Sequence, residues 1–555
     1  MADREHWETD LGRCLPSARL ATRYARGRWK VIPYATGDNS GNMLLALDES
    51  HAGAVRLPLR LRGRYDVFIG LLPCNLNGTG LYGTGLCGIR VRLTGEPCFR
   101  NILSLPEQGN HLHEVFWKQA VLNGRSMEFL PVGRRKLGGA VSGIAYVRLV
   151  PARRPAPSAP VRPWLGGFID GDLSLWFDRK ATKADIESVL EPFRGSPFRK
   201  IYWGFAVGDT RWYQLRGGSH PVAPVYLSGG YRNIAESVRS FRKAGIDVLR
   251  VARDCAKRLG LEFHLYHRPG FISAEPPLDE AFSSRFVLSH PELALCDRDG
   301  TRLSQLSYAF PAVQDRILGL FAEHLRYGVD GLNLCFHRGV PMTLFEAPVV
   351  EGFRRRYGVD PRKVADDDSR LIRFRSEIVT AYLRRVRQLL DAGQKKGKRL
   401  ELSATVLMTR AANRHYGLDV ARWAHEGIVD VLIPYLETRG LPDAGGIELA
   451  WFKRVVRGTR CQLAPELLDV RSWLAPEKHY RERAAPFHRA GVDGICFWDV
   501  DARTDKPLDW EIIQGLARPR SFERSIRLAL RRNRRVPLQS LGGVRVDRTP
   551  TMWAL

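Results

Sequence analysis

After residue 165 the sequence alternates strand-like runs with amphipathic helical stretches eight times. Each helix returns the chain to the same edge of the sheet, so successive strands run parallel, and eight such repeats are typical of a closed (β/α)8 barrel. The fold class we predict is therefore α/β, with this barrel over residues 166–518. The predicted strands are Leu173–Asp178, Ile201–Phe205, Phe263–His267, Gly331–Phe336, Leu400–Ala404, Val429–Pro434, Cys461–Pro465 and Gly494–Trp498.

Helices between these strands are predicted wherever apolar residues recur at three- and four-residue spacing. The predicted helices include Asp185–Phe193, Leu249–Leu259, Gln314–Tyr327, Ser369–Gln394 and His479–Ala490. Two of them are followed by the sequence Gly-Val-Asp-Gly, at residues 328–331 and 491–494. Asp330 and Asp493 thus precede a strand, at the barrel face that contributes stability, and we expect them to be structural.

The rest of the chain predicts separate units, because 555 residues exceed what one core supports. Residues 1–150 consist of short alternating runs separated by Gly, Asn and Pro, which is typical of an all-β sandwich of the jelly-roll kind. Residues 151–165 form a proline-rich linker. Residues 519–555 form a basic C-terminal extension, with an amphipathic helix followed by a strand pair near Val536–Asp547.

The charge of the chain is its unusual compositional feature. The 86 Lys and Arg against 59 Asp and Glu give a net charge of +27, which suits nucleic acid, a membrane surface or an acidic glycan. Many arginines lie on helix positions predicted to face solvent, as in Phe353–Tyr357, which argues against a nucleic acid. Residues 518–535 carry eight arginines against Glu523 alone.

Targeting and membrane signals are weak. No apolar run is long enough to span a membrane, and the polar, acidic start Met1–Asp10 differs from a signal peptide. We expect a cytoplasmic protein, with export left open. The sequence does not indicate an oligomeric state.

Neither the cysteines nor the glycine-rich segment predicts a cofactor. The nine cysteines are scattered and form no CxxC pair, so free thiols are expected rather than disulfides or a zinc site. The segment Gly78–Gly83 satisfies GxGxxG, but a strand pattern follows it where a dinucleotide site needs a helix.

Metal sites are also not expected. His264 and His267 are three residues apart on a predicted strand, which places them on opposite faces. The Asp-x-Asp pairs 170/172 and 499/501 are conceivable for a divalent cation, but solvated loop acids are the favoured interpretation.

Function in such a barrel depends on side chains at the carboxyl ends of the strands. In this chain those positions are rich in aromatic residues and carboxylates. Aromatic rings stack on sugar rings and paired carboxylates cleave glycosidic bonds, so a carbohydrate cleft explains this combination. A phosphate site explains it less well, because it would show glycine-rich loops after strands seven and eight. The candidate substrate-binding residues are Trp176, Tyr202, Trp203, His267, Arg268, His337, Arg338, Tyr435 and Trp498. The candidate catalytic carboxylates are Glu466, Glu437, Glu346, Asp178 and Asp499.

Four segments resemble the glycosyl-hydrolase-like family ten barrels, especially those with a leading β-sandwich. They are Leu306–Gln314, Gly328–Pro341, Val429–Tyr435 and Val492–Trp498. The resemblance implies a glycoside-hydrolase fold and hydrolysis of O-glycosyl bonds in an oligo- or polysaccharide. One departure is that many relatives carry an acid near the end of strand four, where this chain has Cys335, Phe336 and His337.

Glu466 is the leading candidate for nucleophile or base because it directly follows strand seven, although a glutamate paired with a nearby arginine is an equal alternative. Glu437 and Glu346 compete for the general-acid role. Asp178 and Asp499 would position a hydroxyl or tune a neighbouring pKa.

His337 and Arg338 would suit an anionic substituent on the sugar. Two alternatives stay open. One is a non-catalytic glycan-binding protein with a degenerate site, and the other is a basic protein that binds nucleic acid or an anionic surface with steep salt dependence.

Overall fold

The chain folds into an all-β region and a parallel α/β barrel, which confirms the predicted fold class. The computed structural model describes residues 5–47, 51–73, 87–96, 99–104, 110–132, 141–153, 162–170, 182–211, 240–270, 283–394, 397–435, 446–467 and 476–548. None of the helices in these ranges combines the length and apolar character that crossing a bilayer requires. The domain boundaries given above stay predictions.

The barrel consists of eight parallel strands. Barrel strands one to eight are Trp164–Ile169, Phe198–Val207, Glu262–Arg268, Gly331–Cys335, Glu401–Leu407, Val431–Tyr435, Gln462–Leu463 and Gly494–Phe497. Strand eight pairs with strand one, and strands seven and eight meet through a parallel bridge between Glu466 and Cys496. Strands two to eight confirm the sequence prediction.

The predicted position of strand one is wrong. The strand that pairs with strands two and eight is Trp164–Ile169, whereas the predicted run Leu173–Asp178 lies outside the described residues. The local sequence does not indicate the strand Trp164–Ile169, because this segment contains two glycines and adjoins the proline-rich segment. Gly167 is needed there, since a Cβ atom would lie 2.5 Å from a methyl group of Val500.

Three aspartates join the strands in pairs at their amino ends. The carboxylates of Asp330, Asp430 and Asp493 accept the backbone N–H groups of Phe263, Leu402 and Leu463 at 2.8, 2.9 and 3.0 Å. Each aspartate precedes an even-numbered strand and binds the strand before it. The structural role predicted for Asp330 and Asp493 is confirmed.

The predicted helices are all present. In chain order, α1 to α13 of the described residues are Lys183–Leu190, Val248–Arg258, Arg285–Ser289, Pro311–Leu325, Ala347–Tyr357, Ser369–Ala392, Arg410–His415, Val420–His425, Leu449–Val456, Pro476–Ala490, Val500–Thr504, Pro507–Gly515 and Phe522–Arg532. A two-stranded hairpin, Ala294–Cys296 with Arg302–Leu306, lies between barrel strands three and four.

Strand alternation divides the barrel into two apolar layers. Residues such as Phe263, Leu265 and Leu334 face the helices and join the main core. Residues such as Phe168, Tyr266 and Cys335 face the barrel interior, where a smaller cluster ends at Trp498 and Tyr435. A side chain can therefore reach the interior only from alternate strand positions.

The N-terminal region contains a closed circuit of six hydrogen-bonded strands. In order around it they are Trp29–Thr36, Ser40–Leu47, Val141–Pro151, Arg64–Leu71, His111–Val121 and Arg534–Leu541. Further strands attach to this circuit: His6–Glu8, Leu20–Ala21, Val55–Leu57, Cys87–Leu93, Arg100–Ser104, Met127–Pro131 and Val544–Arg545.

The C-terminal strand Arg534–Leu541 thus completes a sheet that begins more than 400 residues earlier in the chain. Arg534 also donates to the fully buried Glu114 at 2.9 Å, and Arg148 binds the same carboxylate at 2.7 Å. Burial alone would raise the pKa of Glu114, but the two arginines outweigh it and hold the pKa below its usual value. The basic C-terminal segment is therefore structurally engaged.

We expect Asp493→Ala to lower the free energy of unfolding by about 1–3 kcal/mol, because it leaves the backbone N–H group of Leu463 without its acceptor. Leu463 lies in strand seven, the shortest strand of the barrel. Urea denaturation measures this change. The control is Asp367→Ala, since Asp367 is exposed and binds no described side chain. Equal stability of both variants would contradict the structural role of Asp493.

Candidate active site

Three aromatic side chains form a floor at the carboxyl end of the barrel. His337 follows strand four and stacks on Tyr435 of strand six, with ring centroids 3.9 Å apart. Trp498 follows strand eight and meets both rings edge to face, at 5.0 and 5.6 Å. The structure therefore brings together three predicted substrate-binding residues from strands far apart in the chain.

An ion pair borders this aromatic floor. Arg268, the last residue of strand three, donates to both carboxylate oxygens of Asp170 at 2.6 Å, and Tyr266 also donates to Asp170. The guanidinium group of Arg268 lies 5.5 Å from the ring centroid of Trp498. Burial and the nearby Asp170 raise the pKa of Tyr266 well above its usual value, so the phenol keeps the proton that it donates.

Close packing of this pair depends on Gly204 in strand two. A Cβ atom at this position would lie 2.5 Å from the carbonyl oxygen of Asp170 and 2.7 Å from the hydroxyl of Tyr266. No ordinary contact is that short. Glycine therefore allows the tyrosine and the aspartate to meet above strand two.

His337 has unused hydrogen-bonding capacity. Its side chain is 7% exposed, and neither ring nitrogen has a hydrogen-bond partner among the described residues. Burial, with the charges of Arg338 and Arg268, lowers the pKa of His337 well below 6.5. The ring is therefore neutral near pH 7 and offers one donor and one acceptor.

Arg338 and Asp499 lie at the exposed rim above this floor. Arg338 is adjacent to His337, and Asp499 is adjacent to Trp498. Asp499 has a left-handed backbone, with φ of 48° and ψ of 44°, and begins helix α11. Both predicted residues thus lie beside the aromatic floor, one cationic and one acidic.

Strand four places no carboxylate at this end of the barrel, as its sequence indicated. Beneath His337 the strand has Cys335, whose Sγ lies 3.1 Å from Oδ1 of Asn333. Burial raises the pKa of Cys335 to about 12, so the thiol stays protonated.

Glu466 is buried in the wall of the barrel rather than exposed in a cleft. Its side chain is 2% exposed, accepts the backbone N–H of Trp498 at 3.2 Å, and lies 3.9 Å from the buried guanidinium of Arg503. Its backbone forms the bridge to Cys496 that closes the barrel. The arrangement matches the alternative of a glutamate paired with an arginine, and it positions Trp498.

Glu346 belongs to a different part of the molecule. It is 1% exposed at the start of helix α5, where both carboxylate oxygens accept the N–H of Leu344 at 2.9 Å. Burial raises its pKa. The preceding residue, Phe345, donates its backbone N–H to the carbonyl oxygen of Cys296 in the hairpin, and the guanidinium group of Arg375 lies 4.4 Å from the ring centroid of Phe345. The structure does not bring it to the aromatic floor.

The predicted residues of strands two and three separate according to strand alternation. Trp203 and His267 face the helices, where their rings contact Phe263 at 6.0 Å and Phe321 at 5.0 Å. Tyr202 faces the interior but lies deep in it, stacked on Phe168 at 4.4 Å. These three are therefore not brought to the carboxyl face. Trp176, Asp178 and Glu437 lie outside the described residues.

Two residues of this site were missed by sequence reasoning. The sequence pattern predicts a solvated loop acid at Asp170 because it places strand one too far along the chain, whereas Asp170 directly follows the actual strand. Tyr266 lies two residues before Arg268 and so shares its face, although the sequence prediction does not include it. The signal available for both was their position at the end of a correctly placed strand.

A second polar cluster lies at the amino end of the barrel. Among the described residues, Glu262, His264 and Glu401 are the group whose ligand atoms come close enough for a metal ion. The buried ammonium of Lys200 already contacts Glu401 and lies 3.9 Å from Glu262. A lysine therefore supplies the positive charge there. His264 and His267 lie on opposite faces of the strand, as predicted.

We expect the ring of His337 to stay neutral as the pH is lowered through 6.5, because burial holds its pKa well below that usual value. Histidine ring resonances in NMR spectra test this, with His337→Gln used to identify the signal. Below about pH 6.5 the unfolded chain takes up a proton that the folded ring does not, so the wild type should lose more stability on acidification than His337→Gln. A midpoint near 6.5 would contradict the burial argument.

We expect Glu466→Gln to lower the free energy of unfolding by about 3 kcal/mol, because the buried Arg503 loses its counter-charge. Urea denaturation measures this loss, and Glu351→Gln, at an exposed position, is the matched control. Unchanged stability together with abolished hydrolysis would instead assign Glu466 a direct catalytic role.

Comparison with known proteins finds a family match over part of the barrel. Residues 231–445 match the family Glycosyl hydrolase-like 10. No curated protein matches the chain. Similar solved structures include the catalytic domain of beta-amylase from Paenibacillus polymyxa, with 10% identity, a TM-score of 0.42, and coverage of 63% of this chain and 96% of that one.

Another similar structure is the alpha-galactosidase TtGalA from Thermus thermophilus in complex with p-nitrophenyl alpha-D-galactopyranoside, with 14% identity, a TM-score of 0.34, and coverage of 88% and 94%. Likenesses this distant carry no argument about function. The matched range includes barrel strands three to six and thus Tyr266, Arg268, His337 and Tyr435. Residues 231–445 of the chain are therefore a Glycosyl hydrolase-like 10 domain, as the resemblance predicted.

Proposed function

We propose that the protein binds an oligo- or polysaccharide at the carboxyl end of the barrel and hydrolyses a glycosidic bond there. The observation that carries the proposal is His337, a buried, neutral imidazole with two ring nitrogens that bind no described residue, set in an aromatic floor. A sugar hydroxyl both donates and accepts hydrogen bonds, so it complements such a ring. The family match over residues 231–445 supports the same class of function.

The surrounding residues suit the parts of a sugar. Trp498 and Tyr435 present apolar aromatic surface against the C–H groups of the sugar ring. Arg338 at the rim would bind a carboxylate or another anionic substituent. The charged pair of Asp170 and Arg268 would border the ring on another side, with the carboxylate held in one orientation by the arginine.

For the chemistry we propose that Asp170 acts as the carboxylate that faces the anomeric carbon. Arg268 and Tyr266 both donate hydrogen bonds to the carboxylate of Asp170. Asp499 at the exposed rim, or Glu437, two positions after the last residue of strand six in the sequence, would protonate the leaving oxygen. Retention requires about 5–5.5 Å between the two carboxyl groups, and inversion about 6.5–9.5 Å. In this scheme Glu466 is a positioning residue that holds the backbone of Trp498.

Reducing-end release from a panel of neutral and acidic polysaccharides tests the catalytic proposal. Asp170→Asn should lower kcat at least about a hundredfold, and Asp499→Asn or Glu437→Gln should do the same for the acid. Asp367→Asn, a change of the same kind at an exposed position, is the control. Full activity of Asp170→Asn with the wild-type melting temperature would remove Asp170 from the mechanism.

A second candidate function is glycan binding without catalysis. It is favoured by the absence of a carboxylate in residues 331–338 of strand four and its turn, and by the burial of Glu466. This alternative requires saturable glycan affinity that Trp498→Ala weakens, with no reducing ends released by the wild type.

A further inference from the structure

A basic groove lies on the rim of the barrel, apart from the aromatic floor. Two adjoining cavities of about 420 and 660 Å³ share Arg410, Arg414 and Trp451. Arg373 of helix α6 lines the first cavity, and Arg454 of helix α9 lines the second. We call the surface formed by these five residues the arginine groove.

The arginines of this groove differ from their neighbours because they have no partner among the described residues. Arg373, Arg410, Arg414 and Arg454 are exposed, and their guanidinium groups make no hydrogen bond or ion pair with a described residue. Nearby arginines are paired: Arg370 with Asp368, and both Arg384 and Arg422 with Glu426, each at 2.7 Å. The four unpaired cations therefore concentrate positive potential in one place.

Three acidic side chains line the two cavities against the four arginines of the groove, so they lower this positive charge without cancelling it. Glu377 pairs with Arg356 on the far side. Asp419 accepts the backbone N–H of Arg422 at 3.2 Å, and Glu448 accepts that of Arg410 at 2.9 Å. The four guanidinium groups therefore outnumber these acids and are accessible to an anionic ligand.

Trp451 gives the groove an aromatic surface between the cations. It is half-buried and packs edge to face on Phe452, with ring centroids 4.6 Å apart. Guanidinium groups bind carboxylates in bidentate fashion, and an indole ring stacks on the apolar face of a sugar. A sugar ring that carries a carboxylate satisfies both kinds of group at once.

The groove lies on the same side of the barrel as the aromatic floor. Helix α7 begins three residues after strand five, so Arg410 lies near the carboxyl end of that strand. Trp451 lies in the first turn of helix α9, which precedes strand seven and therefore starts at the carboxyl face of the barrel. We infer that the arginine groove is an accessory binding site for an acidic polysaccharide whose chain extends from the barrel cleft. The choice of a polysaccharide over another polyanion rests on the proposed function.

Binding of polygalacturonate to the full-length protein tests the inference without requiring turnover. Its affinity should fall steeply between about 50 and about 200 mM salt. Arg410→Gln with Arg414→Gln should weaken it at least about tenfold, and Trp451→Ala should weaken it at every salt concentration. Fully methyl-esterified polygalacturonate, which has the same sugar backbone without the charge, should bind at least about tenfold more weakly.

The matched control is Arg385→Gln with Arg481→Gln, which removes the same charge from two arginines paired elsewhere, with Asp315 and Glu523. An equal loss in this control would show that net charge, rather than the groove, binds the polymer and would overturn the inference. Tighter binding of a DNA oligonucleotide, abolished by the Arg410 and Arg414 changes, would also overturn it and assign the groove to nucleic acid.

The outcome is separable from that of the proposed function. Binding of polygalacturonate that depends on the groove but not on Trp498 would support the accessory site even if no polysaccharide is hydrolysed. Hydrolysis that depends on Asp170, without groove-dependent binding, would sustain the proposed function and overturn this inference.

Discussion

Closure of the barrel between strands seven and eight is the constraint on which the site depends. Strand seven has only two residues in regular pairing, so the seam is completed by the bridge from Glu466 to Cys496 and by the carboxylate of Asp493 on Leu463. The same Glu466 accepts the N–H of Trp498. Glu466 therefore closes the barrel through its backbone and positions the central ring of the aromatic floor through its side chain.

Burial and charge divide the carboxyl face into two layers with different chemistry. In the floor, burial keeps the imidazole of His337 neutral, and burial with Asp170 keeps the phenol of Tyr266 protonated. At the rim, Arg338 and Asp499 are exposed and can meet a ligand from solvent. A neutral, aromatic floor beneath a charged rim suits a sugar ring with polar substituents better than it suits a phosphate group, which requires donors at the base of the site.

The parts of the fold that follow local rules could be predicted from the sequence. Seven strands are short apolar runs. The sequence Gly-Val-Asp-Gly, which contains Asp330 or Asp493, marks the start of two of them. Strand one could not be predicted from its local sequence because its two glycines weaken the strand pattern. Close contacts with Val500 and with the neighbouring strands require glycine at these positions. That single shift also hid Asp170, since a residue can be assigned to the carboxyl face only when its strand is correctly placed.

Other features depend on contacts that local patterns do not encode. The direction of the Trp203 and His267 side chains follows from strand register, and the ion pair of Glu466 depends on Arg503, 37 residues further along the chain. The predicted basic extension turned out to complete the N-terminal sheet through Arg534–Leu541. Part of the high positive charge is therefore neutralised by buried acids such as Glu114, whereas the four arginines of the groove have no acidic partner among the residues that the structure describes.

The central claim is that a sugar occupies the carboxyl end of the barrel above His337, Tyr435 and Trp498. A crystal structure of the protein soaked with the oligosaccharide that it binds best tests this most directly. The account predicts a sugar ring against Trp498 or Tyr435, with a hydroxyl within hydrogen-bond distance of a ring nitrogen of His337. A sugar bound elsewhere, with His337 still without a partner, would contradict it.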